Sequence, residues 1–247
     1  MNYVIITPVF NEEKYLDVYI KSIINQSSKP LEMVMVDDSS TDDSANIIKE
    51  YSSNHTWIKY VHHSSLASKQ QGSKVVAAFR HGVLSLSNLD YNVISKIDAD
   101  LELPPNYFKT IMNAFQEDRQ LGIVGGQIME FSDGKWIVIP QSYYEVRGAL
   151  KSYSAECYRA MGGIKPYLGW DGLDIMTAWH QGWKTKYLKN KYTRGQKMKI
   201  KPIDINNVSY ANYREWLTSL AEIKKRLEDR QNKRLQVSQT IRKQRET

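Results

Sequence analysis

Two carboxylate pairs, each following a short apolar run, carry most of the chemistry readable in this sequence. Asp98 and Asp100 flank Ala99 directly after the run Val93 to Ile97. Strand alternation points both side chains to one face, and two carboxylates so placed repel unless a cation joins them. Hard oxygen ligands suit Mg²⁺ or Mn²⁺, ions that keep phosphate oxygens and waters in their shells. The same pair also reads as a solvated loop or a cap ahead of Pro104-Pro105. Asp37-Asp38 follows Met33 to Val36. There one carboxylate can accept a hydrogen bond from a nucleoside, at a base N–H or a ribose hydroxyl. Ser39, Ser40 or Thr41 can at the same time cap the next helix, whose positive N-terminus favours the acids.

The elements that must position these groups alternate. Tyr3 to Thr7, Met33 to Val36, Trp57 to Val61 and Val93 to Ile97 are apolar runs of strand type, three of them rich in β-branched residues. Between them, 13–26, 41–51 and 69–85 have helical spacing or helix caps. Alternation of this kind predicts a largely parallel sheet flanked by helices, with ligands beyond the carboxyl ends of the strands. Three strands then end in polar motifs: Thr7-Pro8-Val9-Phe10-Asn11-Glu12, Asp37 to Asp42, and Asp98-Ala99-Asp100. Further on, 107–115 reads as helix, 122–131 and 135–139 as strands, and 152–161 as helix. A loop holding Trp170 to Asp174 leads into a helix over 175–180. Residues 1–105 and 106–205 are expected to be two halves of one domain, followed by a tail at 206–247.

In order and approximate spacing these motifs resemble those of the family 2 glycosyltransferases of the GT-A fold. The resemblance covers residues 1–105 well and reaches residue 190 more loosely. It implies a three-layer α/β sandwich, a nucleoside-diphosphate sugar donor, a divalent cation (Mn²⁺ or Mg²⁺), and inversion at the anomeric carbon. Uridine is favoured, with thymidine and guanosine open. Carried over residue by residue, Thr7, Pro8, Val9, Phe10 and Glu12 would line the nucleoside pocket and Asp38 would hold the base. Asp98 would meet the ribose or the metal's water shell, and Asp100 would ligate a metal bridging the phosphates. The family's general base is an acid before a helix that ends near a Gly-aromatic pair. Gly182-Trp183 supplies that pair, and counting back gives Asp171, with Asp174 as its rival. The additional histidine ligand common in this fold has no counterpart, since no histidine follows His180.

Other residues carry two readings each. Lys69 could face the base or diphosphate, or be a solvated helix residue. Arg147 could meet the donor sugar or an anionic acceptor, or form a structural salt bridge. Arg194 could lie on a loop closing over the diphosphate. Trp170 could stack on a sugar face or fill core. Single displacement needs no nucleophilic side chain, so Cys157 reads as a buried small hydrophobe, and His62, His63 and His180 as surface or packing residues.

Composition narrows the alternatives. The 247 residues are 41% hydrophobic and 25% charged, which excludes disorder of the whole chain. The one cysteine excludes an internal disulfide framework. Residues 1–10 lack the features of a signal peptide, no run reaches membrane-spanning length, and a cytoplasmic location is expected. Of the net charge of +7, +5 falls between Arg214 and Thr247, where ten Lys/Arg face five acids. The basic pI thus argues against a nucleic-acid partner for the body. In the tail, Trp216, Leu220, Ile223 and Leu227 form one apolar helical stripe. The cations beyond it suit either a solvated helix end or peripheral contact with an anionic inner membrane face. The expected activity is non-processive transfer of one sugar to a glycan or lipid-linked acceptor. Its rivals are a nucleotidyltransferase, which would need a glycine-rich loop where Pro8 to Glu12 stand, and an inactive nucleotide-binding scaffold acting through the tail.

Overall fold

The computed structural model describes residues 1–64, 73–132, 134–139, 144–167 and 169–195. Lys69 and the whole tail at 206–247 lie outside the described residues.

The first half follows the expected alternation. Strands β1 (Tyr3–Val9), β2 (Glu32–Asp37), β3 (Ile58–His62) and β4 (Val93–Ile97) are separated by helices α1 (Glu13–Ile24), α2 (Ser44–Asn54) and α3 (Ser73–Leu84). All four strands are parallel, in the order β3-β2-β1-β4, with Val9 opposite Asp37 and Ile6 opposite Lys96. Two-residue alternation sends Tyr3, Ile5 and Val9 to a core shared with Leu16 and Ile20 of α1, while Val4 and Ile6 meet Val76 and Phe79 of α3. Both faces of β1 and β2 are therefore buried, which is why these strands read as continuous apolar runs. Gly82 lets α3 lie close on the sheet: a Cβ there would come within 2.5 Å of Ile6 and 2.7 Å of Val36.

The second half extends the sheet with mixed pairing. It comprises β5 (Leu101–Glu102), α4 (Tyr107–Glu117), β6 (Leu121–Ser132), β7 (Lys135–Val138), β8 (Leu150–Ser154), α5 (Ala155–Ala160), α6 (Trp170–His180) and β9 (Lys184–Gly195). The described residues give the sheet order β3-β2-β1-β4-β8-β6-β9-β5, with β7 pairing β6. Helix α4 packs with the α1 core, α5 and α6 with the α3 core, completing three layers.

Two sequence expectations change here, and one long strand has no counterpart in the sequence reading. The helix expected over 152–161 is instead strand β8 and the short α5, because β8 pairs β4 on one side and β6 on the other. Sheet pairing outweighs local propensity. Trp170 to Asp174 are the first residues of α6 rather than a loop before it. Strand β9 was not anticipated, since a Lys/Tyr-rich segment lacks the apolar run that signals a buried strand. Among the described residues, no helix is long and apolar enough to cross a membrane.

Candidate active site

Parallel pairing brings the carboxyl ends of β1, β2 and β4 to one edge of the sheet. There a pocket of about 280 Å³ is lined by Pro8, Val9, Phe10, Glu12, Asp38, Lys74, Val75, Ala78, Asp98, Ala99 and Asp100. All three strand-end motifs thus meet in one cavity.

The two loops that frame it are laced together. Asn11 N–H donates to Ser40 Oγ at 3.0 Å, and Thr41 N–H donates to Asn11 Oδ1 at 2.8 Å. Glu12 N–H donates to Ser44 Oγ at 2.8 Å, and Glu13 N–H to Asp42 Oδ2 at 3.1 Å. Neither α1 nor α2 has a side-chain bond from its own N-cap residue. Each loop satisfies amides of the other, so capping here is reciprocal across the two loops, with Asp42 Oδ1 also accepting locally from Ser44 N–H at 3.0 Å. Asn11 and Ser39 hold left-handed backbone conformations, with φ of 55° and 62°; non-glycine residues adopt these only where the surroundings enforce them.

Asp37 and Asp38 divide their work. Asp37 is buried, accepting from Ser40 N–H at 3.0 Å and from the Tyr60 hydroxyl at 3.3 Å. It organises the turn. Asp38 faces the pocket, with His63 Nδ1 2.9 Å from its Oδ1.

Asp98 has a partner that sequence reasoning missed. The ammonium of Lys96, itself buried, donates to Asp98 Oδ1 and also to the Gly148 carbonyl at 2.9 Å. Asp98 N–H donates to the Ala149 carbonyl at 2.9 Å. Among the described residues, no group of three or more His, Cys, Asp or Glu converges to hold a metal ion. Asp98 and Asp100 on one pocket wall fit a cation that takes its remaining ligands from a diphosphate and water, as Mg²⁺ and Mn²⁺ do. They do not form a closed protein cage.

The two acids of α6 have opposite environments. Asp171, in the first turn, is exposed and packs beside Gly148, where a Cβ would come within 3.0 Å of the Asp171 Cβ. Asp174 is buried, accepting from Lys151 at 2.6 Å and from the Tyr153 hydroxyl at 2.5 Å. Burial raises the Asp174 carboxyl above the usual range and lowers the Lys151 ammonium below its own. Asp174 is held inside the protein and Asp171 faces out.

Other expected site residues fall elsewhere. Thr7 is fully buried, its hydroxyl 2.5 Å from that of Tyr19, so it supports β1 from the α1 side and does not line the pocket. Arg194 is part of β9, not a closing loop; it pairs with Glu102 at 3.7 Å and lies over the Trp136 ring. It borders a separate groove of about 590 Å³ between α1 and β5, which is larger but has none of the aspartates in its wall. Trp170 is 8% exposed, with the ammonium groups of Lys96 and Lys151 at 5.2 and 5.5 Å from its ring, which leaves little face for a sugar. Arg147 is half-buried in the turn before Gly148. Lys74, not singled out in the sequence, is the described lysine at the pocket.

Comparison with known proteins agrees with this fold. A family model described as Glycosyl transferase family 2 matches residues 4–169. The glycosyltransferase GlyA of Streptococcus pneumoniae serotype 4 is 32% identical over 145 residues, covering 57% of this chain and 19% of GlyA. This chain therefore spans about a fifth of that relative's length. Among solved structures, S. aureus TarS 1–349 in complex with UDP superimposes with a TM-score of 0.61 at 19% identity, over 78% of this chain and 60% of that one. The mannosyltransferase PcManGT from Pyrobaculum calidifontis, in complex with GDP-Man and Mn²⁺, gives 0.59 at 16% identity, over 81% and 58%. The likeness to these structures shows the GT-A-type fold. With the strand-end motifs inside the matched segment and the fold they require in place, the chain belongs to glycosyl transferase family 2.

Proposed function

We propose that this chain transfers a single sugar from a nucleoside-diphosphate sugar to an acceptor hydroxyl, with inversion at the anomeric carbon. The observation that carries the reading is the convergence of Asp38, Asp98 and Asp100 in one pocket, with the exposed Asp171 joined to its rim through Gly148 and Ala149.

In this reading Asp38 accepts a hydrogen bond from the nucleoside, and Pro8 to Phe10 give it an apolar wall. Asp100 would ligate the cation directly, and Asp98, already oriented by Lys96, would meet the ribose or the cation's water shell. Bound Mg²⁺ or Mn²⁺ supplies Lewis-acid stabilisation of the leaving diphosphate. Asp171 takes the proton of the attacking hydroxyl while oxygen bonds to the anomeric carbon and the carbon–oxygen bond to the diphosphate breaks. An exposed carboxylate suits this task, because proton removal proceeds with bond formation and needs hydrogen-bond reach to the acceptor. Asp174, enclosed by Lys151 and Tyr153, has no such reach. The complexes of TarS with UDP and of PcManGT with GDP-Man and Mn²⁺ support a nucleotide sugar and a divalent cation as partners here. A glycan or lipid-linked acceptor, and peripheral membrane contact through the basic tail, belong to the same reading.

The test is hydrolysis of a panel of UDP-, dTDP- and GDP-sugars in the presence of Mn²⁺, with the anomeric form of the released sugar followed by proton NMR. Release of the nucleoside diphosphate with an inverted hemiacetal is expected. Retention of configuration would contradict single displacement, and the absence of both turnover and nucleotide binding would contradict the reading as a whole.

A further inference from the structure

Two buried lysines stand directly opposite each other in the sheet. Lys96 of β4 and Lys151 of β8 are register partners, 2% and 0% exposed. Each does the same thing on its own strand. Lys96 donates to a carboxylate, Asp98, and to a main-chain carbonyl, Gly148. Lys151 donates to a carboxylate, Asp174, and to a main-chain carbonyl, Asp171. The two carbonyls belong to residues that touch, since Gly148 is the residue against which the Asp171 side chain packs. Trp170, the residue before Asp171, covers both ammonium groups with its ring.

Core packing does not explain this arrangement. Desolvating two adjacent cations is costly, and a buried ion pair is often no more stabilising than apolar residues of similar volume. What the lysines do achieve is placement. Helix α6 follows Gly169, its N-cap, in a left-handed conformation and has no side-chain N-cap bond, so no local side chain fixes where its first turn begins. Lys151 defines it from the sheet, by holding the Asp171 carbonyl at one point and Asp174, one turn later, at another.

We propose that Lys151 is a positioning residue for Asp171, its ammonium anchored by Asp174, which the Tyr153 hydroxyl holds in turn, and that Lys96 holds Asp98 and the Gly148 strip in matching register. This rests on the reading of Asp171 as the base. The sheet thereby sets the spacing between the donor-side and acceptor-side acids through two parallel lysine ties. Misplacement of a reacting group by about 1 Å costs on the order of 10²-fold in rate, so the ties act on turnover more than on donor binding.

The experiment compares Lys151→Met with the apolar triple variant Lys151→Met/Asp174→Leu/Tyr153→Phe. The triple variant removes the tie without stranding a buried charge, so it keeps the test informative if the single variant fails to fold. Each is assayed for donor hydrolysis with whichever of UDP-glucose, UDP-galactose, UDP-N-acetylglucosamine and GDP-mannose the parent turns over fastest, and Asp171→Asn is made in both the parent and triple backgrounds. The triple variant is expected to keep the parent's melting temperature within a few degrees and its donor KM within about twofold, while kcat falls roughly 10- to 100-fold. Asp171→Asn should then cost far less in the triple background than in the parent, because the acid is already displaced. A folded triple variant with parental kcat, in which Asp171→Asn retains its full effect, overturns the positioning role and leaves the base assignment standing. No effect of Asp171→Asn in the parent overturns the base assignment, and the proposal with it.

Discussion

His63 places its Nδ1 2.9 Å from Asp38 Oδ1, while its backbone N–H donates to the Asp37 carbonyl at 2.8 Å. The imidazole of His81 on α3 lies against it, ring centres 4.8 Å apart. The Asp38 carboxylate is therefore oriented before any ligand arrives, by a residue that follows the neighbouring strand.

If Asp38 receives a nucleoside, Asp38→Ala should weaken UDP binding by about 1.5–3 kcal/mol, the size of a charge-assisted hydrogen bond. His63→Ala, which loosens the carboxylate without removing it, should cost less than that. Titration calorimetry with UDP reads both. Parental affinity in Asp38→Ala would reduce Asp38 to a loop-organising residue.

The split between Asp171 and Asp174 gives opposite expectations for two substitutions on one helix. Asp171→Asn should lower donor hydrolysis by roughly 10²–10⁴-fold, as loss of a general base does, with no change in melting temperature. Asp174→Ala strands the Lys151 ammonium inside the protein and should destabilise the fold by about 3–5 kcal/mol. Thermal denaturation beside the hydrolysis assay separates the two. A stable but inactive Asp174→Ala protein with active Asp171→Asn would reverse the assignment.

Cys157 is fully buried on α5, and burial pushes its thiol up to about 12 from 9.0, with the Asp174 charge adding to the shift. A raised native value favours the neutral thiol in the folded state. Its contribution to stability is complete below the ordinary thiol range and is lost as pH rises toward about 12. At pH 8 the native protein should resist an aromatic disulfide reagent, and the urea-unfolded chain should release one equivalent of thiolate at once. Rapid reaction of the native protein would contradict the burial of this side chain.

Much of the site was legible in the sequence because parallel strands gather their carboxyl ends. Once 3–7, 33–36 and 93–97 are read as buried strands, Pro8 to Glu12, Asp38 and Asp98 to Asp100 must meet. What could not be read depends on contacts between distant segments. Thr7 continues an apolar run, and only the position of Tyr19 shows that its hydroxyl turns away from the pocket. Lys96 looks like an ordinary strand lysine and Lys151 like a residue ahead of a helix, since periodicity does not mark a buried cation whose partners are a carboxylate and a carbonyl elsewhere. The one available signal is the setting of Lys96, inside the apolar run Val93 to Ile97. Trp170 suits sugar stacking and core alike in the sequence, and only the ammonium groups of Lys96 and Lys151 beneath its ring decide for the core. Arg194 can read as a loop residue because its strand is rich in Lys and Tyr and has no apolar run.

The central claim is that the carboxylates at the strand ends bind a nucleoside diphosphate together with a divalent cation. Titration calorimetry of UDP into the parent protein and into Asp100→Ala, each with Mn²⁺ and with EDTA, tests it most directly. Binding to the parent is expected to need Mn²⁺, and Asp100→Ala to lose that dependence with its melting temperature unchanged. Equal, metal-independent affinity in both proteins would contradict it.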